Sequence, residues 1–441
     1  MSTRPILIRG GRLVDPATGT DGLRDLMLRD GAVAAVEQPG QLAAIANATV
    51  VDATGLVVAP GLVDIHVHLR EPGQGYKETI ATGTAAAAAG GFTSVCCMPN
   101  TIPVNDTPEI TRWMLAPERR AVVNVFPIGA ATVGSMGEAL TDYDALRNAG
   151  AAGVSDDGKP ILGDEIMRQT LIAAAKAGLP VIQHAEDTRL TGGCSMHDGS
   201  VAFRLGLRGM TVEAEARIVE RDIQLMREIV ASDIGKDRHL RPHLHVAHLS
   251  TSRALEAVKQ ARKEGLHVTC EVAPHHFTLT DEAVGDYDTH AKMAPPLRDE
   301  MNREAMIAGL LEGHIDAIAT DHAPHAAHEK QVEFERAANG ITGLETALGL
   351  TLRLLHRKHG MKLERVIELL SLAPAKVLNL HGRGALAAGA AADVFLFDPR
   401  ADWIFSAQES RSKSKNTPFD GWSLPGRVAM TIRGGQIVYK R

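Results

Sequence analysis

Eight short runs of β-forming apolar residues, spaced along the middle of the chain, constrain its fold more than any other feature of the 441 residues. They lie at 62–67, 92–98, 122–128, 152–155, 181–183, 244–249, 267–273 and 315–319. Most are separated by Ala/Leu/Glu/Lys/Arg-rich stretches with helical periodicity, such as 164–177 and 252–264. Strands alternating with helices build parallel sheets, and eight such units match a (β/α)8 TIM-type barrel of roughly 250 residues. A doubly wound sheet gives the same alternation, so within the α/β class the count favours the barrel without excluding the alternative.

The two ends read differently. Residues 6–58 and 389–439 hold short strands with tight turns, among them Gly10-Gly11 and Asp30-Gly31. Ile8-Arg9-Gly10-Gly11-Arg12-Leu13-Val14 is echoed by Ile432-Arg433-Gly434-Gly435-Gln436-Ile437-Val438. Paired glycines between β-formers are hairpin signals. The expectation is a small β-sandwich domain made from both ends, residues 1–58 and 383–441, beside a catalytic barrel at 59–382.

Composition excludes several function classes. The formal net charge of -6 is spread over interspersed acids and bases, which leaves no nucleic-acid footprint. The alanine run at 85–89 is too short to span a bilayer. Only three apolar residues follow Pro5 before Arg9, too few for the core of a secretory leader. Cys96, Cys97, Cys194 and Cys270 form no CxxC pair, so they read as buried thiols of a reducing compartment. A cytoplasmic enzyme with a small-molecule substrate, and neither nucleic acid nor membrane as partner, is expected.

The chemistry concentrates where the strands end. In Asp64-Ile65-His66-Val67-His68-Leu69-Arg70, positions i and i+2 of a strand share a face, so both imidazoles can point into a barrel mouth and hold one metal. The fourth run ends in Asp156-Asp157-Gly158, the fifth in His184 and the sixth in His248. The eighth ends in Thr320-Asp321-His322-Ala323-Pro324-His325. Each group alone has an ordinary explanation, a core histidine or a turn. Five strand ends aiming imidazoles or carboxylates at one mouth do not, because buried charges need partners. Two Zn²⁺ bring about +4, and two aspartates with a bridging hydroxide leave about +1, suited to an anionic substrate. One zinc with fewer ligands stays open.

With these residues the chain resembles the amidohydrolase superfamily and, within it, the dihydroorotases of the bacterial type I class. The resemblance runs from Pro60-Gly61 to about Gly435. It rests on blocks at 64–72, Met98-Pro99-Asn100-Thr101, 154–158, 271–276, 319–325 with Lys330, and 415–421. Asp-x-His-x-His-Leu-Arg alone is shared with allantoinases and dihydropyrimidinases. The resemblance implies His66, His68 and Asp321 on one zinc, His184 and His248 on a second, and Asp157 with a hydroxide bridging them. Only the resemblance selects Asp157 over Asp156, and His248 over His243 or His245. Related hydantoinases and allantoinases bridge through a carboxylated lysine; here aspartate takes that place, and Lys159 is the only lysine nearby.

The implied activity is interconversion of dihydroorotate and N-carbamoyl-aspartate in de novo pyrimidine synthesis, with Asp321 as general base and then acid. Arg70, on the same side as His68, suits a ring carboxylate, and His325 can hold the same group. Asn100 is placed to read ring amides, and His68 joins the substrate-binding set. Two departures from the family pattern stand out: Ala294 replaces an asparagine, and Ala338-Asn339-Gly340 replaces Pro-x-Gly. Main-chain contacts would let Ala294, Asn339 and Gly340 still serve. His275, His276 and Glu271 are expected behind the ligands or in the core, and 326–339 as a lid or a surface loop. Two rivals remain, an allantoinase or dihydropyrimidinase and a non-catalytic scaffold for aspartate carbamoyltransferase. A homo-oligomer is expected, and an active enzyme can also associate with that transferase.

Overall fold

The structure, a computed structural model, describes residues 4–42, 47–233, 235, 237 and 240–441. Residues 1–3, which begin the segment weighed as a leader, lie outside the described residues.

Each of the eight apolar runs contains a strand, and every pairing among these strands is parallel. Leu62–Val67 pairs with Phe92–Cys97, and that strand with Asn124–Pro127. Ile128 carries the third strand on to Gly129–Ala130, which pairs with Val154–Ser155. The order continues through Val181–Gln183, Leu244–Val246, Val268–Val272 and Ala317–Ile318. A parallel bridge between Val67 and His322 brings the last strand back beside the first. The first two strands are buried at every position, as parallel strands covered on both faces must be.

The helices between them follow local rules. Asp164–Ala177 carries Asp164 and Glu165 in its first turn, where the positive end of the helix dipole favours acids. Met167, Leu171 and Ala174 recur at helical spacing and are buried. Gly178, at φ +66°, ends the helix in the left-handed region that glycine adopts without strain. Ser252–Lys263 starts where the Thr251 side chain accepts from the Ala254 N–H and buries Ala254, Leu255, Val258 and Ala261. No helix among the described residues is long and apolar enough to cross a membrane.

Strands from both chain ends share one sheet. Its order runs Gln436–Lys440, Ser423–Arg433, Val394–Ile404, Val57–Pro60, Ile6–Asp15, Thr20–Arg29 and Ala32–Glu37, with Thr49–Asp52 also on Ile6–Asp15. Ile8, Leu13, Leu26, Val58, Leu396 and Ile432 belong to one apolar cluster beneath it. Asp30-Gly31 and Gly434-Gly435 turn their hairpins with all four residues at positive φ. Gly10-Gly11 does not turn a hairpin, contrary to the expectation from its twin dipeptide. It lies inside Ile6–Asp15 at a register shift, where a Cβ on Gly11 would come within 2.4 Å of Val58 Cγ2. All four cysteines are free; Cys96, Cys97 and Cys270 are buried and Cys194 is half-buried.

Candidate metal centre

The C-terminal ends of the parallel strands deliver six side chains to one buried cluster. His66 lies on the first strand and His68 just past it; Asp157, His184, His248 and Asp321 follow the fourth, fifth, sixth and eighth strands. His66 Nε2 is 3.5 Å from both Asp157 Oδ1 and Asp321 Oδ1. His68 Nε2 is 3.5 Å from Asp157 Oδ2 and 3.1 Å from Asp321 Oδ1. On the other side, His184 Nδ1 and His248 Nε2 lie 3.5 and 3.7 Å from Asp157 Oδ1 and 2.9 Å from each other. Asp157 therefore faces all four imidazoles. Three triads have ligand atoms within 4.8 Å of one another: His66–His68–Asp157, His66–His248–Asp321 and Asp157–His184–His248.

These donors fit a divalent metal. His66 Nε2 is buried with no hydrogen-bond partner, a costly condition for a polar atom unless something else binds it. Against the pull of burial, Asp321 and Asp157 push His66 well above the ordinary imidazole range. His184 is likewise raised to about 10 by Asp157 and Glu186. Asp157 is held well below the usual carboxylate range, against burial, by His66, His184 and His248. The cluster draws in positive charge, and protons on imidazoles occupy the place that cations would take.

Three of the four imidazoles, those of His66, His68 and His184, are also gripped from behind, which fixes which nitrogen faces the cluster. Glu271 Oε1 lies 2.7 Å from His66 Nδ1, and Glu271 Oε2 3.2 Å from His245 Nε2. Asn100 Oδ1 is 2.8 Å from His68 Nδ1, while its amide donates to Asp157 Oδ2 at 3.2 Å. Glu186 Oε2 is 3.0 Å from His184 Nε2, and its other oxygen accepts from the Thr191 hydroxyl. Arg70, His248 and Asp321 hold φ values of +60°, +32° and +46°, the strained left-handed region that non-glycine residues keep only under constraint.

The alternatives that the sequence left open are separated in space. Asp156 turns away and accepts from the Thr132 N–H and hydroxyl. His243 Nε2 lies 2.7 Å from Thr269 Oγ1 with its ring stacked on His267, and His245 is held between Thr269 and Glu271. His276 Nε2 reaches the Pro295 carbonyl, neither His275 nor His276 belongs to any of the three ligand triads, and Lys159 is exposed.

Beside the cluster opens a cavity of about 320 Å³, onto whose wall Arg70, Asn100, Ala294, His325 and Asn339 converge with His68. A cleft of about 520 Å³ elsewhere contains none of the six cluster residues, so donor chemistry rather than size marks the site. Gly340 does not reach the cavity wall. It lies behind His325, where a Cβ would come within 2.7 Å of the His325 ring. Segment 326–339 contains the short helix Ala327–Lys330. Buried Lys330 pins that segment, its Nζ donating to the Ala338, Gly340 and Lys292 carbonyls. Glu186 and Met293, which the sequence did not single out, also line the cavity. The spacing of Glu186, two residues after His184, was the one available signal.

An α/β chain with a histidine–aspartate metal pocket at the C-terminal ends of parallel strands defines a class of enzyme. The L-hydantoinase (dihydropyrimidinase) from Arthrobacter aurescens has the same fold, with a TM-score of 0.84 at 25% identity over 99% of this chain and 96% of that one. The dihydro-orotase-like family model matches residues 55–235. The dihydroorotases of Geobacter sp. (strain M21) and Citrifermentans bemidjiense are each 48% identical over 436 residues, 99% of both chains in each comparison. The chain belongs to the dihydroorotase family.

Proposed function

We propose that this chain interconverts dihydroorotate and N-carbamoyl-aspartate, as a type I enzyme of de novo pyrimidine synthesis with two zinc ions per subunit. The observation that carries the reading is Asp157, which faces four imidazoles within 3.7 Å beside a cavity holding Arg70 and His325. His66, His68 and Asp321 would hold one ion, His184 and His248 the other, and Asp157 both. When bound, such ions lower the pKa of a water and polarise the amide carbonyl.

The side chains do the rest. Arg70 and His325 hold the ring carboxylate and orient the scissile amide toward Asp321. Asn100, Glu186 and Glu271 keep the imidazoles in register. Asp321 accepts the proton of the attacking water and passes it to the departing ring nitrogen; in ring closure the order reverses. His66 and His68 hold Asp321 far below the ordinary carboxylate range against burial, so it starts ionised.

The parallel strands are read as a closed (β/α)8 barrel over 59–382, with 1–58 and 383–441 folded as a small β-sandwich. One apolar cluster, with Ile8, Leu13, Leu26, Val58, Leu396 and Ile432, draws on the two ends alone and supports that division, while Val14, Val57, Phe395 and Phe397 pack into the cluster of the parallel strands. Cytoplasmic location, a homo-oligomer and association with aspartate carbamoyltransferase complete the proposal; gel filtration with and without the transferase tests the last two.

The test is a zinc count on purified protein combined with turnover of dihydroorotate, allantoin and dihydrouracil on one preparation. About two zinc ions per chain and turnover of dihydroorotate alone are expected. Zinc-free protein that turns over none of the three would favour the scaffold, and preference for allantoin or dihydrouracil would favour the other cyclic amidases.

A further inference from the structure

The carboxylate end of the cavity contains a histidine whose proton stands on the wrong nitrogen for its task. Arg70 Nη2 lies 3.3 Å from His325 Nε2, and a guanidinium can only donate, so Nε2 accepts and the ring proton sits on Nδ1. In that tautomer His325 offers no N–H to a carboxylate in the cavity. Nδ1 meets two groups of opposite character, Glu329 Oε2 at 3.4 Å, which accepts, and Lys77 Nζ at 3.5 Å, which donates. These two form an ion pair at 2.7 Å with little exposure of either side chain.

The frame around the ring is fixed. Glu329 Oε2 accepts from the Ala326 N–H at 2.9 Å, and the Lys77 carbonyl from the Ser414 hydroxyl at 2.6 Å. The His325 backbone N–H is tied to Asn416 Oδ1 at 2.9 Å. Burial, together with Arg70 and Lys77, holds His325 down to about 3, so the ring is neutral at working pH and only its tautomer is free to change.

We propose that Lys77 and Glu329 are positioning residues that set the tautomer of His325. When a substrate carboxylate enters, Arg70 turns to it and Lys77 donates to Nδ1. Nε2–H is then presented to the same carboxylate. One proton leaves Nδ1 for solvent and one arrives at Nε2, with no change in net charge. Glu329 holds Lys77 in reach and stabilises the resting tautomer. This rests on the reading that Arg70 and His325 take the ring carboxylate.

The test uses the zinc-loaded full chain. Lys77→Met should raise KM for dihydroorotate on the order of tenfold with kcat unchanged within about twofold, the cost of one hydrogen bond used in binding. Lys77→Gln restores a donor and should recover most of the loss. Glu329→Gln keeps an oxygen for Lys77 and should leave KM within about threefold, an asymmetry that a purely structural pair would not show. In ¹⁵N spectra of histidine-labelled enzyme, His325 should change from Nδ1–H to Nε2–H on saturation with orotate, and Lys77→Met should abolish the change. Unchanged KM in Lys77→Met, or a free enzyme already in the Nε2–H form, overturns the inference. If Arg70→Ala also leaves KM unchanged, the carboxylate reading itself has failed; if it raises KM while Lys77→Met does not, only the tautomer role has.

Discussion

Replacing Glu271 by glutamine removes a charge that never touches substrate, yet zinc affinity should fall. Glu271 is 1% exposed and accepts three bonds: from His66 at 2.7 Å, His245 at 3.2 Å and the His248 N–H at 3.4 Å. Burial opposes its ionisation, but the bonds from His245 and His66 hold it at about 2, so it is a carboxylate at neutral pH. Glutamine keeps one oxygen for His66 Nδ1 and turns an amide toward His245, which must change tautomer to accept it. The His66 bond then passes from charge-assisted, about 1.5–3 kcal/mol, to neutral, about 0.5–1.5 kcal/mol. A loss near 1.4 kcal/mol is about tenfold in affinity, the lower end of the range for groups behind metal ligands.

The assay is competition of metal-free protein with a chelator of known zinc affinity, with circular dichroism as a check on the fold. Glu271→Gln should bind zinc about tenfold more weakly, and Glu271→Leu, which leaves two imidazoles and an amide without an acceptor, more weakly still. Wild-type affinity in a folded Glu271→Gln variant would refute the reasoning, because the grip on Nδ1 would then have no bearing on what Nε2 binds.

Asp321→Asn should retain much of the zinc while kcat falls by about 10³, the scale of general acid–base catalysis; near-native turnover removes the proton-shuttle role. Arg70→Lys should raise KM about tenfold, since an ammonium cannot make the paired contact of a guanidinium fork with a carboxylate; an unchanged KM moves the carboxylate elsewhere. His243 belongs to none of the ligand triads, and burial with stacked His267 3.8 Å away lowers its pKa to about 2. The unfolded chain takes up that proton near 6.5, so the stability His243 contributes is complete above that pH. It is lost as pH falls toward 2, at up to about 1.4 kcal/mol per unit. His243→Gln should therefore lose less unfolding free energy than wild type between pH 7 and pH 5, about one proton less in slope, and equal slopes in denaturant titrations would contradict this.

The alternation of strands and helices, and the outward turn of reactive residues at each strand end, were legible because period and position are local properties. His66 and His68 were legible from their strand spacing together with their place at a strand end. Asp156 and Asp157 could not be told apart, since the choice depends on Thr132, which captures Asp156 from another loop. His243, His245 and His248 posed the same problem, settled by Thr269 and Glu271 on the neighbouring strand. Gly10-Gly11 and Gly434-Gly435 carry the same letters and adopt different conformations, because only the first must pass against Val58. Lys77 and Glu329 went unremarked, as surface-type charges 252 positions apart whose meaning exists only once two loops meet.

What the sequence could not display is the cost of the arrangement. Arg70, His248 and Asp321 sit in backbone conformations that cost on the order of 1–3 kcal/mol each. Four imidazoles and two carboxylates are buried against one another, none more than 5% exposed. A protein fold gains nothing from such a cluster by itself. Divalent cations change the balance, since the backbone turns that strain His248 and Asp321 also aim their side chains at Asp157 and His66. At His248 and Asp321 the strain falls on residues of the charged cluster, and bound ions would offset both costs there; packing alone explains neither.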